Sequence, residues 1–90
     1  MVNTDLCKNQ IQEIPENLIG KYIIVCTSQK GDRLYYRDRN QSKKGFWSVY
    51  ISNAYVFTSQ ITVKAYCKRL RYNNPTVKYV DPHTYQLRDV

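Results

Sequence analysis

Glycine and proline are scarce in this 90-residue chain, three of each, and histidine, methionine and tryptophan occur once apiece. None of the glycines stands at Walker or dinucleotide-binding spacing, which excludes a phosphate-cradling loop. The one histidine, His83, follows Pro82 near the end of the sequence, where a solvated imidazole is expected. The three cysteines, Cys7, Cys26 and Cys67, are odd in number, far apart and never in Cys-x-x-Cys. That pattern argues against a disulfide framework or a zinc site. Cys26 and Cys67 are instead expected to be small buried apolar side chains. The longest apolar run is the five residues from Tyr22 to Cys26, far short of the roughly 18 needed to cross a membrane. No positively charged flank leads into an apolar segment at the N-terminus, so no secretory signal and a cytoplasmic location are expected.

Acidic residues are scarce as well, seven against fourteen Lys and Arg, for a net charge of +7. The imbalance is not uniform. Residues 1–19 carry Lys8 against Asp5, Glu13 and Glu16, net −2, and residues 81–90 carry Arg88 against Asp81 and Asp89, net −1. Residues 20–80 hold seven Lys and five Arg against Asp32 and Asp38, net +10. A surface of that kind attracts polyanions: nucleic acid, an anionic membrane or an acidic protein face. Asp32 and Asp38 lie in or beside turns next to Arg33, Arg37 and Arg39, where they read as turn residues rather than a catalytic pair. With no histidine, carboxylate or cysteine constellation to work with, the chain reads as a non-enzyme without cofactor or metal.

What is abundant is tyrosine, nine residues in all. Its apolar ring and polar tip suit half-buried strand positions and contact surfaces. The patterning predicts a single domain: an N-terminal extension (1–19), an α+β core (20–80) and a polar tail (81–90). In the extension, a short helix is expected near 5–13 and a helical turn at 15–19, with Pro15 at its first position and Gly20 as its stop. Residues 21–27 (KYIIVCT) are apolar on both alternating faces, the mark of a central strand covered on both sides. Lys30-Gly31-Asp32 signals a turn. Residues 34–37 alternate, with Leu34 and Tyr36 on one face and Tyr35 and Arg37 on the other. Residues 46–52 (FWSVYIS) alternate again, with Trp47, Val49 and Ile51 expected on the core face. The short connections predict an antiparallel meander. A short strand at 54–57 is followed by a helix at about 59–72, capped by Thr58 or Ser59. Its apolar stripe is Val63, Tyr66, Cys67 and Leu70, and the turn Asn73-Asn74-Pro75 ends it. A last strand is expected at 76–80. The fold class is therefore α+β, a small antiparallel sheet of three to five strands packed against one main helix.

Binding residues are more evident than catalytic ones. Lys30, Arg33, Arg37, Arg39, Lys43 and Lys44 fall within fifteen residues of one another, interleaved with Tyr35, Tyr36, Phe46 and Trp47. The helix adds Lys64, Lys68 and Arg71. Guanidinium groups bind phosphate bidentately and aromatic faces stack on bases, so the composition suits a nucleic-acid face. Basic hairpins with aromatics also bind acidic protein grooves, and that reading stays open. The order of elements as far as the helix matches double-stranded-RNA-binding domains. The basic cluster that opens their second helix is replaced here by Thr58-Ser59-Gln60-Ile61, and the likeness ends there.

Gly20-Lys21-Tyr22-Ile23-Ile24, then Leu34-Tyr35-Tyr36, Trp47, Ala54-x-x-Phe57 and a helix containing Ala65 form a pattern that resembles small accessory proteins of phages and prophages. The resemblance covers about residues 20–72 and carries over no functional residue. It implies a small phage-type protein that binds and blocks host machinery, such as a CRISPR or other defence effector, in the cytoplasm of a bacterial host. The partner is then a host protein or ribonucleoprotein effector; the alternative is a basic DNA- or RNA-binding accessory protein.

Overall fold

The computed structural model describes residues 13–37, 46–70 and 74–90. Among these, five strands form one antiparallel sheet: β1 (Tyr22–Thr27), β2 (Arg33–Tyr36), β3 (Trp47–Ser48), β4 (Thr76–Val80) and β5 (Leu87–Asp89), in the order β3-β2-β1-β4-β5. One α-helix, α1 (Gln60–Arg69), packs on the sheet. This is the α+β architecture expected from the sequence.

The centre of the sheet is β1, and its residues explain why. Ile23, Ile24, Val25 and Cys26 are all buried, so neither face of the strand is left to water. Ile23 and Val25 join Leu18, Tyr35, Ile51, Ala54 and Val80 in one core cluster. Ile24 joins Tyr36, Phe57 and Val63 in a second. The helix covers the second face, with Val63 fully buried and Tyr66, Cys67 and Leu70 packed around it. The first face is closed by the 3-10 turn Glu16–Leu18 and by the chain around Ile51–Asn53. From the N-terminal stretch, Leu18 thus enters the core at 1% exposed, with Ile14 and Ile19 packed against it. Burying a Leu side chain of this kind contributes about 1.5–3 kcal/mol.

Turn chemistry sets the register. Between β1 and β2 the Ser28 hydroxyl accepts the backbone N–H groups of Lys30 and Asp32, and Gly31 adopts a φ of +91° that only glycine enters without strain. The turn aligns Thr27 with Arg33 and Val25 with Tyr35. Ser59 caps α1, its hydroxyl accepting from the Thr62 N–H at 3.3 Å.

Three elements depart from the sequence reading. The alternating segment 46–52 is a strand only at Trp47–Ser48. Ser48 is buried, and its hydroxyl accepts from the Tyr50 N–H and from Asn53 Nδ2, which draws the chain out of the sheet into the 3-10 turn Ile51–Asn53. Trp47 consequently packs in the helix-side cluster and Ile51 in the opposite one, so they do not share a face. The expected strand at 54–57 reduces to one bridge between Phe57 and Tyr22. The expected polar tail contains β5, paired with β4 through Val80↔Leu87, Tyr79↔Arg88 and Lys78↔Asp89. The connecting turn is held by the Asp81 carboxylate, which accepts from the backbone N–H groups of His83 and Thr84 and from Arg88 Nη1. The helix expected near 5–13 lies almost wholly outside the described residues. No helix among them is long and apolar enough to cross a membrane.

Candidate nucleic-acid or partner interface

The structure separates the basic residues that the sequence grouped. Lys30 and Arg33 are exposed at the turn between β1 and β2, and Arg37 is half-buried just past the other end of β2. Three residues, Leu34, Tyr35 and Tyr36, thus stand between Arg33 and Arg37, a span of about 13 Å over four steps of roughly 3.3 Å. Arg39, Lys43, Lys44 and Arg71 lie outside the described residues.

Tyr35 and Tyr36 are not contact residues in this fold. They are 4% and 3% exposed. Both faces of β2 are covered, as those of β1 are, so adjacent side chains pointing in opposite directions both end in core. Tyr36 lies in a group of five rings with Trp47, Tyr55, Phe57 and Tyr66, at centroid separations of 4.9 to 6.4 Å in tilted or edge-on geometry. Its hydroxyl shares a 3.0 Å hydrogen bond with that of Tyr66. Aromatic side chains exposed to solvent lie elsewhere, at Phe46, Tyr50 and Tyr85.

Helix α1 supplies the clearest polar surface. Its inward stripe leaves Ile61, Lys64, Ala65 and Lys68 at i, i+3, i+4 and i+7 on the outer side, all exposed. Ile61 is 82% exposed. The helix contains no acidic residue, and Lys68 and Arg69 occupy its last turn, where cations suit the helix dipole. Lys64 and Lys68 stand one turn apart, about 6 Å along the axis.

Beside them an open groove of about 520 Å³ lies between α1 and the ends of β4 and β5. Leu70, Pro75, Val77 and Val90 supply apolar surface and Asp89 stands at its edge. The Asp89 carboxylate is paired with the Lys78 ammonium, whose hydrogen bond and charge hold it below the usual carboxylate range. Cys67 also lines the groove; its Sγ–H donates to the Pro75 carbonyl at 3.3 Å, and burial pushes its pKa up. Burial does the same to Cys26. Raised in this way, both thiols are disfavoured as nucleophilic thiolates. Among the described residues no three His, Cys, Asp or Glu side chains come together in a possible metal site.

Two smaller clefts adjoin on another part of the surface, sharing Tyr55 and Val56. The first, about 390 Å³, takes Asn17, Arg37 and Asn53 into its walls. The second, about 240 Å³, is lined by Ser59, Thr62 and Tyr66 at the start of α1. Asn17, Asn53 and Tyr55 carry no binding signal in the sequence, since Asn17 meets the segment around Asn53 and Tyr55 only in the folded chain.

Neither family models, nor curated proteins, nor solved structures give any match to this chain.

Proposed function

We propose that this chain is a non-enzymatic, phage-type binding protein that engages nucleic acid carried by a host nucleoprotein and so blocks it, acting in the cytoplasm of a bacterial host. A CRISPR or other defence effector is the kind of target meant. The observation that carries the reading is the outer face of α1, with Lys64 and Lys68 exposed on a helix free of acidic residues, in a chain of net charge +7. Such a face draws phosphate toward it by charge and releases counterions on contact. The burial of Tyr35 and Tyr36 weighs in the same direction, because it removes the rings that would have anchored a dry protein contact. Electrophoretic mobility shifts with labelled RNA and duplex DNA test the reading, with wild type and a Lys64→Ala, Lys68→Ala variant. Retardation by wild type that weakens in the variant supports it; no retardation at low salt overturns it.

A second reading, contact with the protein surface of the effector, is favoured by Tyr50 and Ile61, which are 61% and 82% exposed. It predicts tight binding to a purified effector that survives nuclease treatment and the loss of both lysines, while Tyr50→Ala or Ile61→Ser weakens it.

A further inference from the structure

Resting on the reading that this chain binds nucleic acid, we propose that the two adjoining clefts around Tyr55 form a site for one unstacked nucleotide of a single strand, with its phosphate on Arg37 and its base against the Tyr55 ring. Arg37 is half-buried, lines the larger cleft, and has no ion-pair partner among the described residues. A guanidinium set in a concave wall offers a planar fork to an incoming phosphate at less entropic cost than a mobile surface lysine. Its backbone is pinned: the Arg37 N–H donates to the Phe46 carbonyl, and the Tyr55 N–H donates to the Tyr36 carbonyl at 2.8 Å. Those bonds fix the origins of the guanidinium and of the ring on adjacent strands of chain.

Tyr55 is half-buried and is shared by both clefts. Its ring packs nearly perpendicular to those of Phe57 at 4.9 Å and Tyr36 at 6.4 Å, so the ring is held in place before any ligand arrives. A held ring stacks on a base without first losing its own rotamer freedom. Asn53 is also oriented, because its Nδ2 donates to the Ser48 hydroxyl at 2.9 Å; its Oδ1 remains to accept from a base edge. Asn17 adds a second amide on the same cleft. The clefts, about 390 and 240 Å³, fall together within the roughly 300–1,000 Å³ range of small-ligand sites. They admit an extruded base but not the stacked pairs of a duplex, so the site selects single strands.

The test is fluorescence anisotropy with a labelled oligothymidylate and a duplex of the same length, using wild type, Arg37→Ala, Tyr55→Leu and Tyr55→Phe. Tyr55→Phe keeps the ring and its packing, and circular dichroism checks that each variant is folded. Wild type is expected to prefer the single strand. Arg37→Ala should weaken that complex and lower its salt slope by about 0.7, the value of one phosphate contact on a single strand. Tyr55→Leu should weaken it at least about fivefold, and Tyr55→Phe should keep it. If wild type binds nucleic acid but Arg37→Ala binds the single strand unchanged, or if wild type prefers the duplex, the site is wrong while the broader reading stands. If wild type binds neither probe, the site and the nucleic-acid reading fall together.

Discussion

Replacing Tyr36 by alanine tests whether the tyrosines of β2 are structure or contact surface. Tyr36 is 3% exposed, its ring lies 5.5, 5.7 and 6.4 Å from those of Tyr66, Trp47 and Tyr55, and its hydroxyl meets that of Tyr66 at 3.0 Å. Large-to-small replacement of a buried aromatic costs about 3–5 kcal/mol. A domain of this size holds only about 5–13 kcal/mol in all, so Tyr36→Ala should lower the urea midpoint steeply and leave the protein close to unfolding. Tyr36→Phe isolates the hydroxyl. Its loss should cost about 0.5–1.5 kcal/mol, and each 1 kcal/mol lowers the melting temperature by about 4–8 °C in a domain of this length. A cycle with Tyr66→Phe should show the two losses to be less than additive, since either change removes the same bond. Urea unfolding followed by far-UV circular dichroism measures wild type, Tyr36→Ala and the three variants of the cycle. A Tyr36→Ala variant with an unchanged midpoint would refute the reasoning and return Tyr36 to the contact surface.

Three further outcomes follow from named contacts. The Asp81 carboxyl is held below its usual range, first by the His83 N–H, then by the Thr84 N–H and the charge of Arg88, with burial opposing them; its contribution to stability is therefore full above the ordinary carboxylate pKa of the unfolded chain and is lost as pH falls through the lower folded value. The acid limb of the stability profile should flatten in Asp81→Asn, with Asp89 supplying part of what remains, and an unaltered limb would contradict the role given to the turn. Cys26 and Cys67, both pushed up by burial, should react with a maleimide at neutral pH much more slowly in the native than in the urea-unfolded protein, as mass spectrometry of timed samples would show. Gly31→Ala should cost about 1–2 kcal/mol by calorimetry, because φ is +91° there while a Cβ meets nothing within 4 Å; a neutral effect would mean that the turn relaxes to another type.

Much of the fold was legible because local and long-range signals agreed. The unbroken apolar run of β1 announces a strand covered on both sides, and the strand expected at 76–80 coincides with β4. The stripe Val63, Tyr66, Cys67 and Leu70 identified the buried face of α1, and Ser59 its cap. The departures have separate physical causes. Alternation in 46–52 looked like a strand, but the Ser48 hydroxyl offered competing hydrogen bonds that periodicity does not record. Three residues suffice for β5 because the Asp81 turn returns the chain beside β4, and a stretch so short has no period to detect. Both faces of β2 are covered as those of β1 are, but its four residues carry no unbroken apolar run to signal it, so Tyr35 and Tyr36 read from sequence as contact residues. The clefts around Tyr55 were invisible for a plainer reason: Asn17, Arg37 and Asn53 approach one another only in the folded chain.

The salt dependence of wild-type affinity for a single-stranded oligonucleotide tests the central claim most directly. If Lys64, Lys68 and Arg37 each neutralise a phosphate, the slope of log K against log salt should be about −2, at about 0.7 for each contact. A complex whose affinity does not change with salt, or no complex at the lowest salt, would contradict the claim that this chain acts through nucleic acid.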